Sequence, residues 1–159
     1  DAEFIMEKIM LNTNVYSRPL DDLSDKSVRL EADAAKKIFS LSHSKAVSIF
    51  TSEILFYEID FIKEKDRREV IFHLAKNVQK EFVLIDDDIE NLAVSLQVFI
   101  KDYADCLHMA SAATSKCSHL VTCDKELLRK AEKIESFLLK RGIMLHILNP
   151  VEFIGVLRD

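Results

Sequence analysis

Asn12, Glu53, Asp105 and Asp124 carry the side chains in this chain that could act together on a bound group. Asn12 ends the apolar stretch Ile9-Met10-Leu11, Glu53 follows the β-branched stretch Ala46 to Thr51, and Asp124 stands just past His119 to Thr122. Asp105 lies in Asp102-Tyr103-Ala104-Asp105, which opens a helical segment. In an open α/β sheet, ligands sit beyond the carboxyl ends of the strands, so these groups meet only if the fold returns them to one edge. Carboxylates crowded together repel unless a cation neutralises them. Hard oxygen ligands of this kind suit Mg²⁺ or Mn²⁺, and one or two such ions can activate a water in phosphodiester cleavage. Each acid also has a plain structural explanation, because caps and helix dipoles favour acids in the first turn of a helix. Position 12 is the odd member, an amide among acids.

The elements that must position these groups alternate between strand and helix. The first strand spans about Lys8 to Leu11, with Tyr16 to Pro19 as its exit loop, and a helix runs from about Asp25 to His43. After the strand Ala46 to Thr51, Thr51 or Ser52 caps a helix that carries Glu53 in its first turn. Another helix covers about Arg67 to Gln79, and Phe82 to Ile85 is a third strand ending in Asp86-Asp87-Asp88, which reads as a loop and helix cap. A helix to about Phe99 and one through Ala113 precede the strand His119 to Thr122. A helix from about Lys125 to Lys140 stops at Gly142, and Ile143 to Leu148 is a fifth strand. Asn149-Pro150 begins a last short helix, with Pro at its first position. This alternation predicts βαβ crossovers and a mostly parallel sheet covered on both faces.

Length and composition fit one domain. With 159 residues, 48% of them hydrophobic, and only two glycines and two prolines, no linker divides the chain. Residues 1–5 read as a vector remnant and Met6 as the natural start, which leaves a single domain over 6–159. A net charge of -5 means that any nucleic-acid contact needs a local basic patch. No apolar run approaches the roughly 20 residues of a membrane span, and no signal-peptide pattern opens the chain. Cys106, Cys117 and Cys123 lack Cys-x-x-Cys spacing, which points to reduced thiols in a cytoplasmic protein rather than disulfides or a zinc site.

Five local motifs, in order, resemble those of PIN-domain proteins, especially VapC-type toxins of toxin–antitoxin pairs. Leu11-Asn12-Thr13-Asn14-Val15 resembles their Leu-Asp-Thr-Asn-Val opening, and Thr51-Ser52-Glu53-Ile54 their acidic second motif. Asp105-Cys106-Leu107-His108-Met109-Ala110 is similar to an Asp-Ala-Leu-His-Ile-Ala form, and Thr122-Cys123-Asp124 to a late Thr-x-Asp motif. Asn149-Pro150-Val151-Glu152-Phe153 resembles the C-terminal end of the family. The resemblance implies a three-layer α/β/α sandwich with a mostly parallel sheet of about five strands. It implies an Mg²⁺- or Mn²⁺-dependent endoribonuclease with an RNA substrate, an antitoxin protein partner and a homodimer. Carried over by position, Glu53, Asp105 and Asp124 match the acidic metal ligands, and Asn14 and Thr122 match supporting polar residues.

Asn12 departs from the family, which has Asp there. The amide keeps the shape and one carbonyl acceptor but loses the charge and gains an NH₂ donor. Loss of a unit charge about 4 Å from a divalent ion is worth several kcal/mol, so the chain is expected to be a weak or inactive nuclease. An engineered disabling change is the favoured explanation; a natural, catalytically silent module that binds a partner protein or RNA is the alternative. A phosphotransfer receiver domain also gathers acids at strand ends, but no lysine after a late strand suits that role. His108, one turn after Asp105, is expected to hydrogen-bond near the site rather than act as ligand or base. His43, His73, His119 and His146 show no ligand spacing. The basic residues Lys63, Lys65, Arg67 and Arg68 read as a solvated helix face. Phe50, Phe56, Tyr57 and Phe61 read as mostly core, and one edge of their hydrophobic helix could meet a second copy or an antitoxin helix.

Overall fold

The computed structural model describes residues 6–158; the reading of residues 1–5 as a vector remnant lies outside them. Five strands form one parallel sheet: β1 (Glu7–Leu11), β2 (Val47–Ser52), β3 (Gln79–Val83), β4 (His119–Val121) and β5 (His146–Leu148). Their order is β3-β2-β1-β4-β5, which places β1 at the centre. The chain therefore builds outward from β1 on one side through β2 and β3, then returns to its other side with β4 and β5. The seam between β1 and β4 is the switch point of the sheet, where side chains past the strand ends face an open crevice.

The helices are α1 (Thr13–Ser17), α2 (Lys26–His43), α3 (Glu53–Asp60), α4 (Lys65–Val78), α5 (Asp87–Leu96), α6 (Tyr103–Thr114), α7 (Lys125–Arg129), α8 (Ala131–Leu139) and α9 (Pro150–Arg158), with a 3-10 turn over Arg18–Leu20. Alternation along the strands divides their side chains between two cores. Ile9, Leu11, Val47, Ile49 and Val121 pack with Ile38, Phe39, Leu55, Ile71 and Phe153 on one face. Met10, Phe50, Leu120 and Ile147 pack with Ile89, Leu96, Met109 and Ile134 on the other. A parallel sheet buried on both faces gives the three-layer α/β/α sandwich that the strand–helix alternation predicts.

Several boundaries differ from the sequence reading. The third strand starts at Gln79, directly after α4, and ends at Val83. Its polar residues Lys80 and Glu81 are exposed, as suits an edge strand, and they hide its apolar signal. The exit loop after β1 is instead helical over Thr13–Ser17. The expected helix Lys125 to Lys140 is two helices joined at Lys130, whose ammonium donates to the Phe99 carbonyl at 2.7 Å. The fifth strand is three residues long, because Gly142, at φ 78°, ends α8 and residues 143–145 only connect. Cys106, Cys117 and Cys123 are free and buried. No helix among the described residues is long and apolar enough to cross a membrane.

Candidate active site

The seam between β1 and β4 is closed by backbone first. Asn12 N–H donates to the Val121 carbonyl at 2.9 Å, one residue beyond β1, and in the neighbouring β4–β5 pairing Thr122 N–H donates to the Leu148 carbonyl, also at 2.9 Å. Asn12 is buried and occupies the N-cap position of α1, yet its side chain does not cap the helix. Its Nδ2 donates instead to Thr122 Oγ1 at 2.8 Å. Asp124 N–H donates to the same oxygen at 3.1 Å, and Asn14 Nδ2 approaches it at 3.4 Å. Asn14 Oδ1 accepts from Cys123 N–H at 3.0 Å. The fully buried Thr122 hydroxyl is thus the hub that ties the residue after β1 to the acid after β4.

Asn12, Thr13, Asn14, Ser17, Glu58, Asp105 and His108 line a cleft of about 290 Å³ at this seam. Asp105 enters from the first turn of α6, where Asp102 caps the helix by accepting from Asp105 N–H at 3.1 Å. Burial pushes the Asp105 carboxyl up to about 6, and repulsion from Asp102, Asp124 and Glu58 adds to that shift while His108 opposes it. Asp124 points one oxygen at the start of α7, accepting from Glu126 N–H at 2.8 Å and Leu127 N–H at 3.1 Å.

The acid that α3 brings to the cleft is Glu58. Glu53 lies elsewhere: its Oε1 accepts from Ile85 N–H at 2.6 Å, and it lines a separate hollow with Ile54, Tyr57, Ile85 and Leu107. Five residues along an α-helix are about 140° around its axis, so the two acids leave α3 in different directions. Glu58 accepts from Thr13 Oγ1 at 2.7 Å and pairs with His108 Nε2. Burial alone would push its carboxyl up, but the contacts with His108 and Thr13 hold it below the usual Glu range. The sequence carried a signal for Glu58. Leu55, Ile59 and Ile62 form the apolar stripe of this segment, and a carboxylate three residues after Leu55 falls on that inward face. Glu53, by contrast, occupies a first turn where the helix dipole is reason enough for an acid. His108 takes the hydrogen-bonding role expected of it, and its Nδ1 is buried without a partner among the described residues.

The donors present fit a hard divalent ion. The cleft holds carboxylates from two helices, a third acid beside them, and the Asn12 Oδ1, a buried acceptor with no hydrogen-bond partner among the described residues. Among those residues, no three His, Cys, Asp or Glu side chains already converge as a finished chelate. Open oxygen-rich sets of this sort suit an ion that keeps several waters.

The molecule is therefore a three-layer α/β/α protein with an acidic cleft at the switch point of its parallel sheet. The PIN domain model matches residues 9–133, most of the chain, and the chain belongs to the PIN domain family. No curated protein matches it. Among solved structures it is similar to VapC20 of Mycobacterium tuberculosis, a sarcin-ricin loop cleaving toxin. The identity is 15%, with 76% of this chain and 93% of that chain covered and a TM-score of 0.55. It is also similar to VapBC-5 of the same organism, a member of the VapBC family of toxin–antitoxin systems. There the identity is 16%, with 89% and 98% covered and a TM-score of 0.49.

Proposed function

We propose that the cleft is the active site of a Mg²⁺- or Mn²⁺-dependent endoribonuclease of PIN type, attenuated in this chain by Asn12. The observation that carries this reading is the cleft at the sheet's switch point, which Asp105 and Glu58 line together with Asn12, while Asp124, tied to Asn12 through Thr122, lies close enough to raise the Asp105 carboxyl. Asp105, Glu58, Asp124 and the Asn12 Oδ1 would hold the ion; Glu58 takes the place that the sequence motif suggested for Glu53. A bound divalent ion supplies charge neutralisation at the RNA phosphate and activation of a hydrolytic water.

The chain's own residues prepare that site. Thr13 and His108 fix the Glu58 carboxylate and keep it ionised. Thr122 fixes the Asn12 amide so that Oδ1, not Nδ2, is the free atom. Burial first, and then its acidic neighbours, favour the protonated form of Asp105, and a bound cation would offset both. Asn12 provides an oxygen of the right shape without the charge. At an effective dielectric of 20, a unit charge 4 Å from a divalent ion is worth about 8 kcal/mol before relaxation and hydration offset it.

Asn12→Asp tests the reading. The variant, at saturating Mg²⁺ or Mn²⁺, is expected to bind metal more tightly and to cleave RNA in a chelator-sensitive manner. Absence of cleavage across a broad RNA panel overturns it. Asn12 also favours a second reading, a silent module that holds a partner protein or RNA, which predicts metal-independent binding and no gain from Asn12→Asp. An antitoxin-type protein and a second copy of the chain are the partners proposed under the first reading. Tyr57 and Phe61, expected in the core, are instead 61% and 66% exposed on and just after α3, which supports such a contact.

A further inference from the structure

The end of the sheet opposite the cleft carries two histidines that the proposed chemistry does not use. His119 opens β4 and His146 opens β5, and the two are register partners on adjacent parallel strands. Their side chains therefore rise from the same face, with ring centroids 5.5 Å apart. Separation along the chain hides this pairing from any reading of ligand spacing.

The hydrogen bonds determine which nitrogen of each ring is free. His146 Nδ1 lies 3.0 Å from Glu135 Oε1, and an ionised carboxylate only accepts, so Nδ1 carries the proton. Ser118 Oγ lies 2.8 Å from His119 Nδ1, 2.6 Å from Glu7 Oε2 and 3.2 Å from the Lys8 carbonyl. Both oxygens are acceptors, so the single hydroxyl proton goes to one of them and His119 Nδ1 must donate to Ser118. Each neutral ring thus keeps Nε2 as a lone-pair nitrogen, and neither Nε2 has a hydrogen-bond partner among the described residues. A ring whose Nδ1–H is anchored to a carboxylate, directly or through a hydroxyl, is oriented as metal-binding imidazoles are.

We propose that His119 and His146 form a second metal site, which takes a zinc-class divalent ion through their two Nε2 atoms. Imidazole pairs suit Zn²⁺ rather than Mg²⁺, and Glu7 and Glu135 behind the rings offset the added charge. Among the described residues no third His, Cys, Asp or Glu completes the set. The remaining positions open on a cavity of about 760 Å³ lined by Glu7, Cys117, Ser118, Met144 and both histidines. An open position of this kind accepts water or a small anionic ligand.

The test is a Zn²⁺ titration of the full chain with excess Mg²⁺ present to fill the carboxylate cleft. Calorimetry is read alongside long-range ¹H–¹⁵N spectra of the histidine rings. One equivalent of Zn²⁺ is expected to shift Nε2 of both His119 and His146, while His43 and His73 serve as internal references. His146→Gln should abolish the paired shift, and Glu135→Gln should weaken binding about tenfold or more. His146 is half exposed at a sheet edge, so its removal spares the core, and melting in chelator checks this. Zn²⁺ that moves neither ring, or binding equal to that of the parent in both variants, overturns the proposal. RNA cleavage by Asn12→Asp should be unchanged by His146→Gln, so the two sites fail or stand separately.

Discussion

Asn12 Nδ2 donates to Thr122 Oγ1 across the central seam of the sheet, and this one bond leaves Asn12 Oδ1 buried with no partner among the described residues. The hydroxyl is an acceptor for Asn12 and Asp124 together, so position 122 needs an oxygen more than it needs a methyl.

Thr122→Val is expected to cost about 2–3 kcal/mol in urea unfolding, because it leaves a buried amide N–H and a backbone N–H without an acceptor. Thr122→Ser keeps the oxygen and should lose only about 0.8 kcal/mol, the value of a buried methylene. Equal losses in the two variants would remove the hub role from Thr122.

The two acids of α3 separate cleanly by experiment. In an Asn12→Asp background, Glu58→Gln should lower RNA cleavage by roughly 100-fold or more, since each 1.36 kcal/mol of lost stabilisation is tenfold. Glu53→Gln should leave the cleavage rate unchanged. Glu53→Ala should cost about 1 kcal/mol of stability through the lost Ile85 hydrogen bond. A cleavage defect in the Glu53 variants with none in Glu58→Gln would reverse the assignment.

Asp105 makes the metal-free protein sensitive to pH. Its folded pKa is raised to about 6, above the ordinary Asp value of about 3.9, so between these values the folded chain holds more proton than the unfolded chain. The Asp105 contribution to stability therefore falls as pH rises through that window. Asp105→Asn, which mimics the protonated acid, should gain stability relative to the parent at pH 7 but not at pH 4. Urea midpoints measured in chelator at both values check this, and a constant difference would remove Asp105 as the cause.

The sheet was legible because its central strands carry unbroken apolar runs, and because Asn12, Thr122 and Asp124 stand just past two of them. The edge strands were less so. β3 presents Lys80 and Glu81 to solvent, and of Ile143 to Leu148, read as a fifth strand, only the last three residues are strand. Glu58 was missed for a different reason. A helix start explains Glu53 in one dimension, whereas Glu58 becomes meaningful only when His108 and Thr13 arrive from distant parts of the chain. The His119–His146 pairing was equally hidden, since only strand order makes them neighbours.

The strand order also sets when the cleft can exist. β1 leaves the ribosome well before its β4 neighbour, and the Thr122 hydroxyl lies more than a hundred residues after Asn12. Long-range pairing of this kind is late and slow to form. A nascent chain or fragment that stops before β4 already contains Asn12, Glu58 and Asp105, but it lacks the seam that gathers them. The cleft is therefore withheld until β4 has been made, and a protease cut that released β4 would dismantle it without touching an acid that lines it.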